Sequence, residues 1–454
     1  MDELAGSAPQ TPLPILLTLT CIFVVLLILM VRRSGSQAGA FLVVAIWLRV
    51  IAGAYHFITF APLVGGLSIN ALLSVATVAV GLLVVDRRAL TQQWMIPIYL
   101  LLVIVIASGI LNRSTSGAID MFFKWGYAVV LIAAAREAMM KAGPHRVLML
   151  TAYCYAPIFV LQALSVALGR AKSTEDEGGL SYIGGYYHES AFSIMIATFV
   201  LAVYLTTRAK FASKAAMVLM GLISAVLANY RTGIISILPL VIGVFLLEGV
   251  SRFDHKSRNF IMVLAIPVML VIAVILGSQL AERFNDLAAL MGHADLLLKP
   301  PREFVAEEKR MLSGRIYIWS TYVEAYLNGT DMQLLFGFGP NSWVGVFAKY
   351  AHNTMVSYLY ELGVAGLLTL LAVWGAFFAA TLRIHDSLMR YKLLLAQLCF
   401  MLFNLATMPH WQIEGTILFA LIQASVLYHL APAKERAPSR HNGNAGSALV
   451  AESS

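Results

Sequence analysis

Long apolar runs separated by short polar segments occupy most of the 454-residue chain. A helix that crosses a bilayer needs about 20 mostly apolar residues, so each run is a candidate span. The pattern predicts thirteen candidate spans, at residues 13–31, 38–60, 69–85, 95–111, 119–135, 147–168, 190–207, 215–229, 232–247, 260–277, 355–382, 393–409 and 414–431. The pair 215–229 and 232–247 is either two short spans or one span with a re-entrant piece. We therefore expect an all-α, polytopic helical bundle with about 12 or 13 spans.

Basic residues set the orientation of this bundle. Arg32 and Arg33 directly follow the first span, which places the N-terminus on the outside. With that choice, 19 of the 32 Lys and Arg residues lie in cytoplasmic segments and 11 lie in external ones. Cytoplasmic loops of membrane proteins carry such an excess of positive charge. The opposite orientation would break the rule at almost every loop.

The overall composition supports a membrane protein. Hydrophobic residues make up 59% of the chain and charged residues 12%, whereas soluble chains average about 45–50% and about 25%. This excludes an ordinary soluble enzyme, and the net charge of +8 orients loops without indicating nucleic-acid binding. The cysteines lie singly in apolar runs, and the sequence has neither a metal-ligand motif nor a nucleotide-binding motif. We therefore expect no metal and no cofactor.

Four segments follow from this division of the chain. Residues 1–277 form an N-terminal transmembrane bundle, residues 278–354 a large external loop, residues 355–431 the C-terminal transmembrane helices, and residues 432–454 a disordered cytoplasmic tail. Apolar residues recur at helical spacing within the loop, at Ile316, Trp319, Val323 and Tyr326. The loop is therefore predicted to be partly helical, and a connection of this length is often functional.

Three ionisable residues near the external ends of spans are candidates for chemistry. Arg231 precedes a helix start in a short hairpin, where it either extends toward the membrane surface or binds an anion. Arg315 begins a loop helix and is either a surface residue or a second anion-binding group. His352 precedes the span that begins near residue 355 and is either polar surface or a general base, because the pKa of histidine lies near neutrality.

A second set of polar residues accompanies them at the same side. Asn353 is placed to cap the helix that follows His352. His188 and Glu189 end the external segment 169–189, and a glutamate in a first helical turn suits the helix dipole. The preceding Tyr186 and Tyr187 either stack on sugar rings or belong to an interfacial aromatic belt.

Arg49 and Lys124 lie near the middle of their spans. Charged residues inside a bilayer are costly, so they are functional candidates by default. Asp120 lies one turn before Lys124, where an ion pair is possible. These residues either form buried structural ion pairs or line a polar path for a substrate headgroup.

The chain from Gly314 to Gly366 contains four short motifs in a fixed order. They are Gly314-Arg315 with Trp319, then Leu335-Phe336-Gly337-Phe338-Gly339-Pro340, then Ala351-His352-Asn353-Thr354, and finally Glu361-Leu362-Gly363 with Gly366. In combination they resemble the signature region of the O-antigen ligase/polymerase superfamily. Upstream, Tyr230-Arg231-Thr232-Gly233 resembles the Ser-Arg-Gly-type turn of that family, with tyrosine in the serine position.

The resemblance implies an integral inner-membrane glycosyltransferase of the GT-C type, with its active site facing the periplasm. It implies a donor glycan on undecaprenyl diphosphate, and either a second glycan or lipid A–core as acceptor. Membrane lipids and, optionally, a chain-length regulator complete the implied partners. By motif, the functional positions of the family fall on His352, Arg315 and Arg231. We add Asn353, Glu361, His188, Glu189, Arg49 and Lys124 as candidates for substrate binding.

Two choices remain open on the sequence. The aromatic and acidic segment from Gly184 to Ser190 favours a polymerase of lipid-linked repeat units over a ligase. From another class of protein, a transporter or flippase of lipid-linked sugar would use Arg49 and Lys124 as an anion path. A structural subunit of an export complex would need none of these residues for chemistry.

Overall fold

The computed structural model describes residues 10–64, 67–173, 179–249 and 294–436. The predicted span 260–277, the start of the external loop and most of the tail lie outside these residues. Within them, nine helices are long and apolar enough to cross a membrane: Leu13–Arg32, Gln37–Ala54, Gln93–Leu111, Thr115–Ala142, Pro144–Ala167, Arg231–Gly249, Thr354–Leu382, Ser387–Ala406 and Ile413–Leu430. Shorter apolar helices are Ile69–Val84, Glu189–Leu205 and Phe211–Leu227. The prediction of an all-α, multi-pass membrane protein is confirmed.

Short elements connect the long helices. They are the helical segments His56–Thr59, Arg87–Leu90, Ala294–Leu297, Pro301–Glu303, Glu308–Gly314, Arg315–Leu327, Asp331–Phe336, Pro409–Trp411 and Ala433–Arg436. Two antiparallel strand pairs join Pro62–Val64 to Leu67–Ser68 and Lys172–Ser173 to Leu180–Ser181. The predicted pair at 215–247 forms two helices, Phe211–Leu227 and Arg231–Ile242, and the second continues as the π-helical turn Gly243–Gly249. The external loop is partly helical, as predicted.

Helix Ile413–Leu430, called the central helix below, lies at the core of the bundle. Every residue from Ile413 to Tyr428 is buried. It packs against Thr115–Ala142 and Glu189–Leu205. The N-terminal helix Leu13–Arg32 is the opposite case, because Leu17, Val25 and most of its other apolar side chains are exposed. An apolar helix with an exposed surface of this kind is suited to contact lipid.

Loops predicted to share the cytoplasmic side meet in the structure. Arg146 reaches the backbone of Gly35, since a Cβ atom at that glycine would lie 3.0 Å from its guanidinium. Arg383 lies over the ring of Trp94, 5.0 Å from the ring centre. These contacts join, in two pairs, four loops that the charge pattern assigned to one side. The predicted orientation is therefore consistent with the fold.

A buried cluster of charged residues lies at the end of the bundle that is predicted to be cytoplasmic. The carboxylate of Glu248 lies 2.7 Å from the Nζ of Lys214 and 2.5 Å from the Nζ of Lys392. Both lysine side chains are 2% exposed. The cluster joins helix Phe211–Leu227, the π-helical turn and helix Ser387–Ala406. Paired charges of this kind tolerate burial only while every partner is present.

Replacement of the shared carboxylate tests the cluster. Glu248→Gln leaves two buried ammonium groups without their anion, and we expect a loss of about 3 kcal/mol of stability. Thermal unfolding of the detergent-solubilised protein measures it. Glu307→Gln, at an exposed loop position, is the matched control and should leave the unfolding temperature unchanged. An equal effect of the two changes would contradict the assignment.

Candidate active site

Residues Gly337 to Asn341, called the signature loop below, dock on the first turns of helix Thr354–Leu382. The N–H of Phe338 donates to the carbonyl of Tyr360 and the N–H of Gly339 donates to that of Glu361, each at 2.9 Å. Asn112 Nδ2 donates to the carbonyl of Gly337 at 3.0 Å. The loop is thus attached to two spans through main-chain atoms.

Two glycines of the matched motifs make this docking possible. Gly337 has a φ of +74°, and a Cβ atom there would lie 2.2 Å from the carbonyl carbon of Glu361. Gly363 has a φ of +68°, and its Cβ would lie 2.4 Å from the carbonyl oxygen of Leu335. Both conformations favour glycine, and both contacts leave no room for a side chain. The presence of glycine at these two positions therefore has a steric cause.

Glu361 holds the signature loop from within helix Thr354–Leu382. Its side chain is fully buried. One carboxylate oxygen accepts the N–H of Asn341 at 2.6 Å and the other accepts the hydroxyl of Ser357. The carbonyl of Glu361 also accepts the hydroxyl of Ser108 at 3.2 Å. Glu361 was predicted as a candidate for substrate binding, but the contacts described here are hydrogen bonds to other residues of the protein.

The helix that starts at Arg315 supports the chain just before His352. Gly314 precedes it with a φ of +78°, which confirms the predicted helix start. The indole N–H of Trp319 donates to the carbonyl of Ala351 at 2.8 Å. The hydroxyl of Tyr322 donates to the carbonyl of Lys349 at 3.1 Å. Arg315 and His352 therefore belong to one packed unit.

His352 has an unusual backbone and a low pKa. Its φ is +52°, a region that non-glycine residues occupy at a cost and often at functional sites. Its ring lies 3.8 Å from the ring of Tyr350. Burial, and to a smaller extent the positive charges of Arg315, Lys349 and His188, lower its pKa to about 3. The imidazole is therefore neutral and can accept a proton or a hydrogen bond.

Asn353 caps the helix that follows, as predicted. Its side-chain oxygen accepts the N–H groups of Met355 and Val356 at 2.9 and 3.2 Å. Its Nδ2 donates to the carbonyl of Leu405 at 3.3 Å. The residue is 5% exposed, so it fixes the direction in which the chain leaves His352.

His188 and Glu189 lie at the start of helix Glu189–Leu205. The Nδ1 of His188 accepts the N–H of Ser190 at 3.0 Å, so in the neutral ring the proton is on Nε2. The carboxylate of Glu189 lies 3.2 Å from the Nζ of Lys172. His188 influences His352 electrostatically, whereas the charge of Glu189 is balanced by its lysine.

Arg231 begins helix Arg231–Ile242 at the same side. The preceding Tyr230 is half-buried, and this burial raises its pKa, while Arg315 lowers that pKa in part. The residue before Tyr230, Asn229, has a φ of +48°. The structure thus brings Arg315, His352 and His188 within electrostatic range of one another. Arg231 follows Tyr230, whose pKa is affected by the charge of Arg315. We call these four residues the rim cluster.

A cavity of about 730 Å³ lies beside the rim cluster. His188 and Tyr350 line it, and so do Arg49 and Lys124. Arg49 Nε lies 2.8 Å from a carboxylate oxygen of Glu414, and the pair is at most 9% exposed. Lys124 Nζ lies 2.6 Å from the carboxylate of Asp120 one helical turn away, which confirms the predicted pairing. The two intramembrane cations are thus paired and also line the cavity.

Several lining residues were not singled out from the sequence. They are Glu414, Trp343, Tyr350 and Trp411. Glu414 carried a usable signal, because an isolated acid at the start of an apolar span needs a partner. The three aromatic residues carried none, since loops at a membrane surface are commonly rich in tryptophan and tyrosine.

The segment that contains Arg231, Arg315 and His352 matches a known protein family. Residues 215–371 match the family model described as O-antigen ligase. The matched range contains every motif from Tyr230 to Gly366, so the predicted resemblance is confirmed there. The match supports, in general terms, a function of the O-antigen ligase or polymerase type. A comparison with curated proteins finds no match.

The signature loop should tolerate no side chain at Gly337. Gly337→Ala places a methyl group against the main chain of Glu361, and we expect at least a roughly 100-fold loss of activity from displaced site residues. Gly345→Ala is the matched control, because its φ is +79° but a Cβ there meets nothing within 4 Å. Comparable losses in the two variants would show that backbone strain, and not docking, is responsible. Glycan transfer in membranes measures both.

The low pKa of His352 predicts a flat pH dependence. The ring should stay neutral from about pH 8 down to about pH 5, so kcat/KM should show no break near pH 6.5. Below pH 6.5 the histidine binds a proton in the unfolded chain but not in the folded protein. The free energy of unfolding should therefore decrease as the pH decreases in that range. Kinetics and thermal unfolding over this range measure the two effects. A break near pH 6.5 that disappears in His352→Gln would contradict the assignment.

Proposed function

We propose that this protein is a membrane glycosyltransferase that polymerises undecaprenyl-diphosphate-linked repeat units of an O-antigen or exopolysaccharide. The protein would span the bacterial inner membrane, with its active site on the periplasmic side. The single observation that carries the proposal is the packed unit of Arg315 and His352 beside the cavity. It is supported by the family match over the same residues.

The arginines of the rim cluster would hold the leaving diphosphate. A guanidinium presents planar donors that match phosphate oxygens and keeps its charge. Arg231 also begins a helix, where main-chain N–H groups and the helix dipole favour an anion. Neutralisation of the diphosphate makes it a better leaving group at the moment when its bond to the sugar breaks.

His352 would align and deprotonate the acceptor hydroxyl. The hydroxyl oxygen attacks the anomeric carbon from the face opposite the diphosphate, so the configuration inverts and no covalent glycosyl-enzyme forms. The hydroxyl proton passes to the neutral imidazole. A bound diphosphate would cancel part of the charge of Arg315 that lowers the pKa of His352, so donor binding strengthens the base.

Glu361 and Asn353 would act as positioning residues. Asn353 accepts the main-chain N–H groups of Met355 and Val356, just after His352. Glu361 accepts the main-chain N–H of Asn341 in the signature loop. Arg49 and Lys124 would contact substrate within the cavity, while each keeps its acidic partner. Glu189 would restrain Lys172 and the start of its helix.

The choice of polymerase rests on the segment before helix Glu189–Leu205. Tyr186, Tyr187 and His188 all line the cavity, where tyrosine rings can stack on a growing glycan. The description of the matched family, O-antigen ligase, favours a second candidate, transfer of the lipid-linked glycan to lipid A–core. Both functions use the same rim cluster and differ in the acceptor.

Glycan analysis of a His352→Ala strain separates these functions. In a strain that lacks the gene, a polymerase variant should leave single repeat units on undecaprenyl diphosphate and no long polymer. His385→Ala changes an exposed histidine near the other end of the bundle and is the matched control. Expression levels of both variants must equal that of the wild type.

Other results would contradict the proposal in distinct ways. Long chains on the lipid carrier, with bare lipid A–core, would identify a ligase that uses the same site. An unchanged glycan profile would remove His352 from catalysis. A transporter would then be favoured if uptake of lipid-linked sugar into vesicles also survived Arg315→Ala combined with His352→Ala.

A further inference from the structure

The charges that line the cavity are balanced. Arg49 is paired with Glu414 and Lys124 with Asp120. Their formal charges sum to zero, in contrast to the cationic rim cluster beside it. A compensated wall has little electrostatic attraction for a diphosphate, because each cation already has an anion in contact. The cavity and the rim cluster are therefore suited to different parts of a substrate.

Four lining residues each carry a buried polar atom without a hydrogen-bond partner in the described part of the chain. They are Arg49 Nη1, Tyr186 OH, Trp343 Nε1 and Trp411 Nε1. Arg49 and Tyr186 are 8% and 2% exposed. A buried donor without a partner is costly. All four residues line the same cavity, so a ligand that supplies several hydrogen-bond acceptors would relieve this cost.

Aromatic faces lie next to these donors. The rings of Trp343 and Trp411 are 5.8 Å apart, and the Nζ of Lys124 lies 5.4 Å from the ring centre of Trp411. The ring of Tyr350 lies 6.1 Å from that of Trp343 and 3.8 Å from that of His352. The aromatic wall is thus continuous from the cavity to His352.

We propose that the cavity binds saccharide residues of the lipid-linked glycan, while the diphosphate stays outside at the rim cluster. Sugar hydroxyl and ring oxygens would accept from the four donors, and the C–H faces of the sugar would stack on Trp343 and Trp411. The volume lies within the range of about 300–1,000 Å³ that is usual for small-ligand sites. This inference rests on the proposed function and specifies which group each part of the site recognises.

A polyprenyl chain is the competing occupant. It would fill the apolar part of the cavity, but it offers no acceptor to Arg49, Tyr186 or the two indole N–H groups. It would also leave two ion pairs in contact with hydrocarbon, where polar groups are costly. The polar groups that line the cavity therefore favour a saccharide over a polyprenyl chain as its occupant.

Binding of two lipids to the purified full-length protein separates the possibilities. The probes are undecaprenyl diphosphate and the lipid-linked glycan extracted from cells that lack the gene, with dissociation constants measured by native mass spectrometry. Trp411→Phe removes the indole donor and keeps an aromatic ring. We expect it to weaken binding of the glycan-bearing lipid about tenfold and to leave undecaprenyl diphosphate unaffected. Arg315→Ala should weaken binding of both.

Trp94→Phe is the matched control, since Trp94 packs on Arg383 away from the cavity, and it should change neither constant. Equal weakening of both lipids by Trp411→Phe would overturn the inference and assign the cavity to the prenyl chain. No change for either lipid would also overturn it. If Arg315→Ala changes neither constant while Trp411→Phe still acts on the glycan-bearing lipid, the proposed diphosphate site fails and the sugar site stands.

Discussion

The main-chain contact between the signature loop and helix Thr354–Leu382 determines the geometry of the whole site. Gly337 and Gly363 approach closely enough for backbone atoms to touch, and Glu361 accepts the N–H of Asn341 from inside the bundle. On one side of this contact the chain continues to Trp343 and the cavity. On the other side it returns through His352 into the membrane. A loop held at both ends in this way can hold His352, the proposed base, at a fixed position.

The site combines two kinds of charge. Within the bundle, Arg49 and Lys124 are paired with carboxylates and are compatible with burial. At the rim, burial and then the positive charges of Arg315, Lys349 and His188 lower the pKa of His352. A substrate with an anionic diphosphate and an uncharged glycan would match this division. Binding energy at the rim would then also prepare the base for the acceptor.

The sequence predicted most of the helical framework, because apolar runs of span length have few alternatives in a lipid bilayer. It also predicted the Asn353 cap and the Asp120–Lys124 pair, since both depend on spacing within one helix. The Arg49–Glu414 pair joins residues 365 positions apart, and no local pattern encodes such a contact. The aromatic wall was missed for the same reason: Trp343 and Trp411 meet only after the bundle is assembled.

Transfer by the purified protein tests the central claim most directly. The protein is incubated with lipid-linked glycan, and release of undecaprenyl diphosphate is followed together with the size of the glycan product. The account predicts release coupled to glycan growth in the wild type, and neither in His352→Ala or Arg315→Ala at equal folded protein. Release at the wild-type rate by either variant would contradict the assignment of the rim cluster as the catalytic site.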